Sequence, residues 1–329
     1  MAVYTVLERA EIEAFIEPYG IGPLIDFRGV AAGIENTNYF LSTDHSDLPS
    51  ELRTRTEQEY VLTIFEASSP DELAFFIELT TLLNHSQLPV PCPLENADGI
   101  AIQQIQGKPA VLVPKVSGNH PQQPSESLCH AIGVTLAKTH QVCLQAKLQH
   151  QSSRSLSWLS QLATELKPRL NAEDLTLLEE VSRFQQLIKS HSDLPVTVIH
   201  GDLFRDNALA AGDQLTGIID FNSAGDGYLM MDIAVVVNDW CANADGSLQQ
   251  SLVTAIMTGY QQIRPFTSDE VLLWNDFLRI AASRFWLSRL ATKLDPNNRH
   301  RPGGLVEQKD PEQYRRILLH RISTPQKLS

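Results

Sequence analysis

Up to about residue 116 the chain is built of short apolar runs with polar flanks. Beyond it, longer segments take over in which apolar residues return every three or four positions. The first part opens with helical spacing in TVLERAEIEAFIE (5–17) and then turns to strand-like runs. These are LIDFRGVA (24–31), YFLST after the small-residue turn AAGIENTN (31–38), EYVLTIFE (59–66) and PAVLVPKV (109–116). SPDELAFFIELTTLLNH begins with Ser69-Pro70-Asp71, a helix-opening signal, and continues amphipathically, so one packed helix is expected here. VPCPLENADGIAIQQI (90–105) predicts a hairpin turning at Asn96–Gly99, and the whole region predicts a mostly antiparallel sheet.

After Val116-Ser117-Gly118 the spacing becomes helical. SESLCHAIGVTLAKTHQVCLQ is one helix, and DLTLLEEVSRFQQLIKS another, with Leu177, Val181, Phe184 and Ile188 on a shared face. LPVTVIH predicts a strand ending at His200. NALAA and LTGIID predict a short hairpin across Ala211-Gly212-Asp213-Gln214, and from Asp232 onward the pattern is helical apart from LDPNNRHRPGGLVEQKD. The expected class is therefore α+β with two lobes, divided as 1–113 and 114–329.

Composition narrows the partners. In 329 residues the formal net charge is −13, which argues against nucleic acid or an anionic membrane as a partner. Hydrophobic content of 43% with 20% charged residues is ordinary for a soluble globular protein. No apolar run reaches the roughly 18 residues of a membrane span. The acidic start MAVYTVLERAEIEAF lacks the basic region of a signal peptide, so a cytoplasmic location is expected. The four cysteines form no C-x-x-C, and His130, His140 and His150 fall on different helix faces, so neither set predicts a metal cluster.

The chemistry is concentrated in VIHGDLFRDNALAAGDQLTGIIDFNSAG (198–225), where Asp202, Asp206, Asn207 and Asp220 interrupt apolar strand-formers. A hairpin would return Asp220 to the loop that holds Asp202 and Asn207. An aspartate, an amide five residues later and a second aspartate after an apolar pair suit phosphoryl transfer: one base for the attacking hydroxyl, two oxygens for a hard cation.

HGDLFRDN and GIIDF closely resemble the H-G-D-x-x-x-x-N and I-D motifs of the aminoglycoside phosphotransferase-like small-molecule kinases. DFRGVAAGIENTNYF, EYVLTIFE, DELAFFIEL, NDWC and RFWLSRL extend the likeness over nearly the whole chain, toward the kinase-fold bacterial homoserine kinases. The resemblance implies a two-lobed protein-kinase-like fold, with an antiparallel sheet plus helix in the first lobe and a helical second lobe carrying the catalytic hairpin. It implies ATP and Mg²⁺ as cofactors, L-homoserine as the small-molecule substrate and O-phospho-L-homoserine as product, a step toward threonine. Choline, an aminoglycoside or another sugar-like alcohol is the alternative acceptor, and a non-catalytic nucleotide-binding module the alternative from another class.

Carried over by position, Asp202 resembles the base, Asn207 and Asp220 the Mg²⁺ ligands, His200 a support of the loop, and Asp232 a buried acid that receives the loop's amides. Gly33, Asn36 and Asn38 resemble a phosphate-covering loop, and Val113 to Val116, with Lys115, a nucleotide-binding hinge. Thr63 stands where many kinases carry a strand lysine. The missing charge makes Arg205, inside the catalytic loop, the candidate contact for the transferring phosphate. A zwitterionic acceptor needs a cation for its carboxylate and an acid for its ammonium. Arg284, Arg289 and Asp239 are the candidates, although Arg284 and Arg289 lie about 140° apart around a helix and need not share a face.

Overall fold

The computed structural model describes residues 4–30, 36–46, 57–295 and 309–328. Among these, the residues up to His85 together with Val90–Val116 form one compact unit. Ser86–Pro89 and the residues from Ser117 onward form the other.

The N-terminal unit starts with α1 (Arg9–Ile16), whose first turn is closed by a reciprocal Glu8–Glu11 capping box. Strands β1 (Leu24–Gly29), β2 (Thr37–Asp44) and β3 (Glu57–Ile64) precede α2 (Pro70–His85), and β4 (Gln103–Ile105) and β5 (Lys108–Pro114) follow it. The sheet order is β1-β2-β3-β5-β4, antiparallel at every step. Side-chain alternation sorts its two faces. Tyr60, Leu62, Ile64, Ala110 and Leu112 join Ile12, Phe15 and Ile16 of α1 in one core. Phe65 and Val111, with Val113 beside them, pack with Leu73 and Phe76 of α2 in another.

The expected hairpin at 90–105 does not form. Asn96 does organise a tight turn, accepting from the Asp98 and Ile100 amides, but Val90–Ala101 contains no strand. Pro91 and Pro93 lack the N–H that a ladder requires. The strand pair is instead β4–β5, turning at Gln106-Gly107.

The second unit contains α3 (Glu126–Ala146), α4 (Leu156–Leu166) and α5 (Ala172–Lys189), then β6 (Val196–Ile199), β7 (Ala208–Ala211), β8 (Gln214–Ile218) and β9 (Gly225–Tyr228). Helices α6 (Leu229–Trp240), α7 (Gln250–Gln261), α8 (Ser268–Leu272), α9 (Trp274–Leu294) and α10 (Pro311–Ser323) complete it. No helix among the described residues is long and apolar enough to cross a membrane. On α5, Leu177, Val181 and Ile188 are buried as expected, while Phe184 is half-buried and covered by the Arg279 guanidinium at 4.7 Å. Helix α6 begins at Leu229, a turn earlier than the pattern from Asp232 suggested.

The second unit's small sheets place the chemistry. β6 pairs with β9, and β7 pairs with β8 across the expected turn. β9 was not legible in GDGY, whose glycines are strand-poor. They are there because side chains would collide: a Cβ at Gly227 would lie 2.5 Å from Ile199 Cδ1, and one at Gly225 2.7 Å from Ser152 Cα.

Candidate active site

The loop from His200 to Asn207 leaves the end of β6 and enters β7 through a short 3-10 turn. Its start is fixed by the completely buried carboxylate of Asp232 on α6. Asp232 Oδ2 accepts from His200 N (2.8 Å) and Oδ1 from Gly201 N (2.7 Å). His140 of α3 adds Nε2 at 3.0 Å, and its Nδ1 meets Tyr260 Oη at 2.8 Å. Burial opposes the Asp232 charge, but the bonds from His140 and Gly201 and the nearby imidazoles outweigh it and hold the carboxyl below its ordinary pKa. Gly201 turns with φ +77°, and a Cβ there would stand 3.0 Å from Ser223 O.

His200 supports the loop without carrying charge. Its Nδ1 accepts the Asp202 amide at 3.2 Å, so Nε2 bears the proton and donates to Ile219 O at 3.1 Å. Burial lowers its pKa despite the pull of Asp232 and Asp220. Its ring also packs on Phe221, with centroids 4.6 Å apart.

Asp202 is half-buried as a residue, but its Oδ1 is sealed and has no hydrogen-bond partner among the described residues. Burial pushes its carboxyl up to about 7; Arg284 and Lys309 pull against this, while Asp220 and Asp206 add to it. Arg284 of α9 lies behind the loop, buried, with Nη1 on Gly201 O at 2.6 Å. Burial also lowers the Arg284 pKa, against the pull of Asp202.

The hairpin returns Asp220 as the sequence suggested. Ala208 faces Ile218, and Ile219 N donates to Asn207 O at 3.0 Å, which sets Asp220 just beyond. Asp220 has a left-handed backbone (φ +63°), a costly conformation for a non-glycine residue and one that clusters at functional sites. Asn207 Nδ2 donates to Asp202 O at 2.8 Å, which leaves Oδ1 as its remaining polar atom. One amide oxygen and one exposed carboxylate suit Mg²⁺, which keeps most of its coordination for phosphate and water. Among the described residues, no group of three or more His, Cys, Asp or Glu could form a metal cage.

The far end of the loop is held by the last turn of α6. Asp239 Oδ2 accepts both Arg205 N (2.8 Å) and Arg205 Nε (3.1 Å), and Trp240 Nε1 donates to Leu203 O at 3.1 Å. Arg205 Nη1 reaches Gln122 O at 2.9 Å. Its neighbour Asp206 pairs elsewhere, with Lys309 Nζ at 2.6 Å. Arg289 lies on the Tyr314 ring (4.5 Å) and binds the start of α10 through Asp310 O and Gln313 Oε1.

A family model described as the phosphotransferase enzyme family matches residues 26–266, which include the loop, the hairpin and Asp232. The chain belongs to that family. Homoserine kinase of Pseudomonas aeruginosa strain UCBPP-PA14 is 41% identical over 291 residues, 88% of this chain and 88% of the relative. Homoserine kinase of Methylobacillus flagellatus is 38% identical over 328 residues, 100% of this chain and 98% of the relative. Among solved structures, an amicoumacin kinase superposes with TM-score 0.70 at 16% identity, covering 97% of this chain and 95% of that one. A microcompartment-associated aminopropanol kinase gives 0.62 at 14% identity over 96% and 94%. At such identities the likeness concerns the fold, and it agrees with the two-lobed kinase-like α+β architecture.

In this phosphotransferase the nucleotide-side candidates belong to the N-terminal unit. Gly33 lies outside the described residues, and Asn36 is buried just before β2. Asn38 and Thr63 face each other across β2–β3, and Thr63 Oγ1 donates to Asn38 Oδ1 at 2.7 Å. Val113 sits on β5 opposite Val61. Lys115 pairs with Glu59 at 2.5 Å and lies over the Phe40 ring. Lys108, at the start of β5, pairs with Glu66.

Pattern alone missed His140, Tyr314 and Lys309. His140 carried a faint signal, a histidine on the buried face of an apolar helix. Tyr314 stacks on Phe204 of the loop (5.8 Å between centroids, 13° between planes), and Lys309 lies 5.3 Å from the same ring. Nothing local in the sequence announces a contact spanning 103 residues, the Lys309–Asp206 separation.

Proposed function

We propose that the protein is a homoserine kinase, which transfers the γ-phosphoryl group of ATP to the side-chain hydroxyl of L-homoserine and forms O-phospho-L-homoserine on the route to threonine. The observation that carries the chemistry is Asp202, a carboxylate with a sealed, unpartnered Oδ1 and a pKa near 7. A base of that strength can accept the acceptor's proton near neutrality. The homoserine oxygen bonds to the γ-phosphorus, the bridging bond to the β-phosphate breaks to release ADP, and the hydroxyl proton passes to Asp202. The acceptor itself is supported by the homoserine kinase relatives, which match along nearly the full chain.

Asn207 and Asp220 would hold Mg²⁺, which when bound offsets charge on the phosphate oxygens. Loss of the Asp220 carboxylate should therefore shift the Mg²⁺ requirement upward several-fold in a metal titration of activity. Arg205 is assigned to the charge on the transferring group, with Asp239 positioning its guanidinium. Asn36, Asn38, Thr63, Val113 and Lys115 are assigned to the nucleotide.

ADP release measured with and without L-homoserine tests the reading. A homoserine-dependent rate far above the rates with choline, an aminoglycoside or water is expected. A preference for another alcohol, or nucleotide binding without turnover, would overturn it. Because Asp202 must be ionised to act, kcat/KM should fall about tenfold per pH unit below pH 7.

A further inference from the structure

The acceptor in the proposed reaction is a zwitterion, and the cations and acid first nominated for it are already engaged. Arg284 is buried and holds the Gly201 carbonyl. Arg289 is spread on Tyr314 and fastens the start of α10. Asp239 uses one oxygen twice to hold Arg205, whose own Nη1 is bound to Gln122. Each of these side chains already meets a demand of the loop or of α10.

One oppositely charged pair beside the base is open. Lys309 Nζ and Asp206 Oδ2 are 2.6 Å apart, with side chains 48% and 51% exposed. Lys309 lies over the ring of Phe204, and Asp206 sits in the same loop as Asp202. Arg284 and Lys309 are the two cations foremost in drawing Asp202 down, and only Lys309 is accessible. The ammonium has three N–H donors and spends one on Asp206, whose second oxygen has no partner assigned among the described residues. An exposed pair of this kind contributes only about 0–1 kcal/mol by itself, so a ligand that shares it displaces little.

We propose that Lys309 and Asp206 together recognise the amino-acid end of the acceptor, Lys309 binding its carboxylate and Asp206 its ammonium. An α-amino acid carries these two charges on groups attached to one carbon, and the ion pair presents their complements side by side. This assignment rests on the homoserine reading, and it makes the loop's two aspartates divide the substrate. Asp202 takes the hydroxyl end and Asp206 the charged end.

Steady-state kinetics of Lys309→Met, Lys309→Arg and Asp206→Asn test it, with L-homoserine, 4-hydroxybutyrate and 3-amino-1-propanol as acceptors. 4-Hydroxybutyrate lacks the ammonium, and 3-amino-1-propanol lacks the carboxylate. Losing a charge-assisted bond should raise KM for homoserine roughly 10- to 100-fold in Lys309→Met, with ATP KM and Tm near wild type. Lys309→Arg should recover most of that loss. Lys309→Met should also weaken 4-hydroxybutyrate and leave 3-amino-1-propanol unaffected, and Asp206→Asn should do the reverse. Competitive inhibition constants serve where turnover of either analogue is slow. An unchanged homoserine KM in Lys309→Met would reduce the pair to surface decoration and overturn the assignment, as would equal losses on both analogues or a rise confined to ATP KM. No homoserine turnover by the unmodified protein would overturn the functional reading as well. Normal wild-type turnover with an unmoved variant KM would overturn this assignment alone.

Discussion

At Asp202 the role proposed in the reaction and the demands of the fold oppose each other. Its folded pKa lies near 7, above the ordinary 3.8, so ionising it costs stability. The penalty is absent below about pH 4, grows through the interval, and is complete above about pH 7. Asp202→Asn should therefore abolish nearly all turnover yet raise stability at pH 8 by on the order of 1 kcal/mol, a gain that vanishes in melts at pH 4. Asp232 behaves in the opposite sense. Its pKa is lowered, so its contribution is present above the unfolded carboxylate range and lost as the pH falls through its folded value. Asp232→Ala would strand the His200 and Gly201 amides and His140, costing about 3 kcal/mol or more in chemical denaturation. That Asp202, Asn207 and Asp220 come together was legible because they crowd into one stretch around one hairpin. Lys309 and His140 were not, since each acquires its meaning from a side chain far along the chain.

Among the elements, α6 acts as a clamp with two jaws. Asp232 in its first turn takes the start of the loop, and Asp239 and Trp240 in its last turn take Leu203 and Arg205. The seven-position step from Asp232 to Asp239 spans about 10.5 Å of helix, which sets the distance over which the loop is stretched. Asp239→Ala should free the Arg205 end and lower kcat about tenfold or more, with a smaller change in melting temperature. Helices α3 and α7 cross with almost no gap. A Cβ at Gly133 would lie 2.1 Å from Ile256 O, and one at Gly259 2.2 Å from His130 O. Gly133→Ala should therefore destabilise by about 1–3 kcal/mol despite better helix propensity, a sign that thermal melts can check. Helical spacing located α3 and marked the stretch containing α7 as helical, but that crossing is a property of their packing and leaves no period in the sequence. β9 stayed hidden for a related reason: its glycines answer to Ile199 and Ser152, which belong to other segments.

On the scale of the whole molecule, the change from strand-like to helical spacing near residue 116 marks the passage between the two compact units. What spacing cannot show is which distant segments of the second unit meet. The loop is complete only when α10 and the residues just ahead of it arrive, since Tyr314 stacks on Phe204 and Lys309 reaches Asp206 over a separation of 103 positions. This order has a consequence during synthesis. At about 5–20 residues per second, the ribosome releases the loop on the order of 5–20 s before its partners Lys309 and Tyr314. Throughout that interval Phe204 has an uncovered face that a chaperone or protease can find. Arrested nascent chains ending before residue 309 should accordingly be cleaved near the loop and fail to phosphorylate homoserine, whereas chains extended past α10 and clear of the exit tunnel should resist cleavage and turn over. Activity is thus deferred until the distal helix has been made, and the delay is written into the chain order of a single stacked ring and a single ion pair.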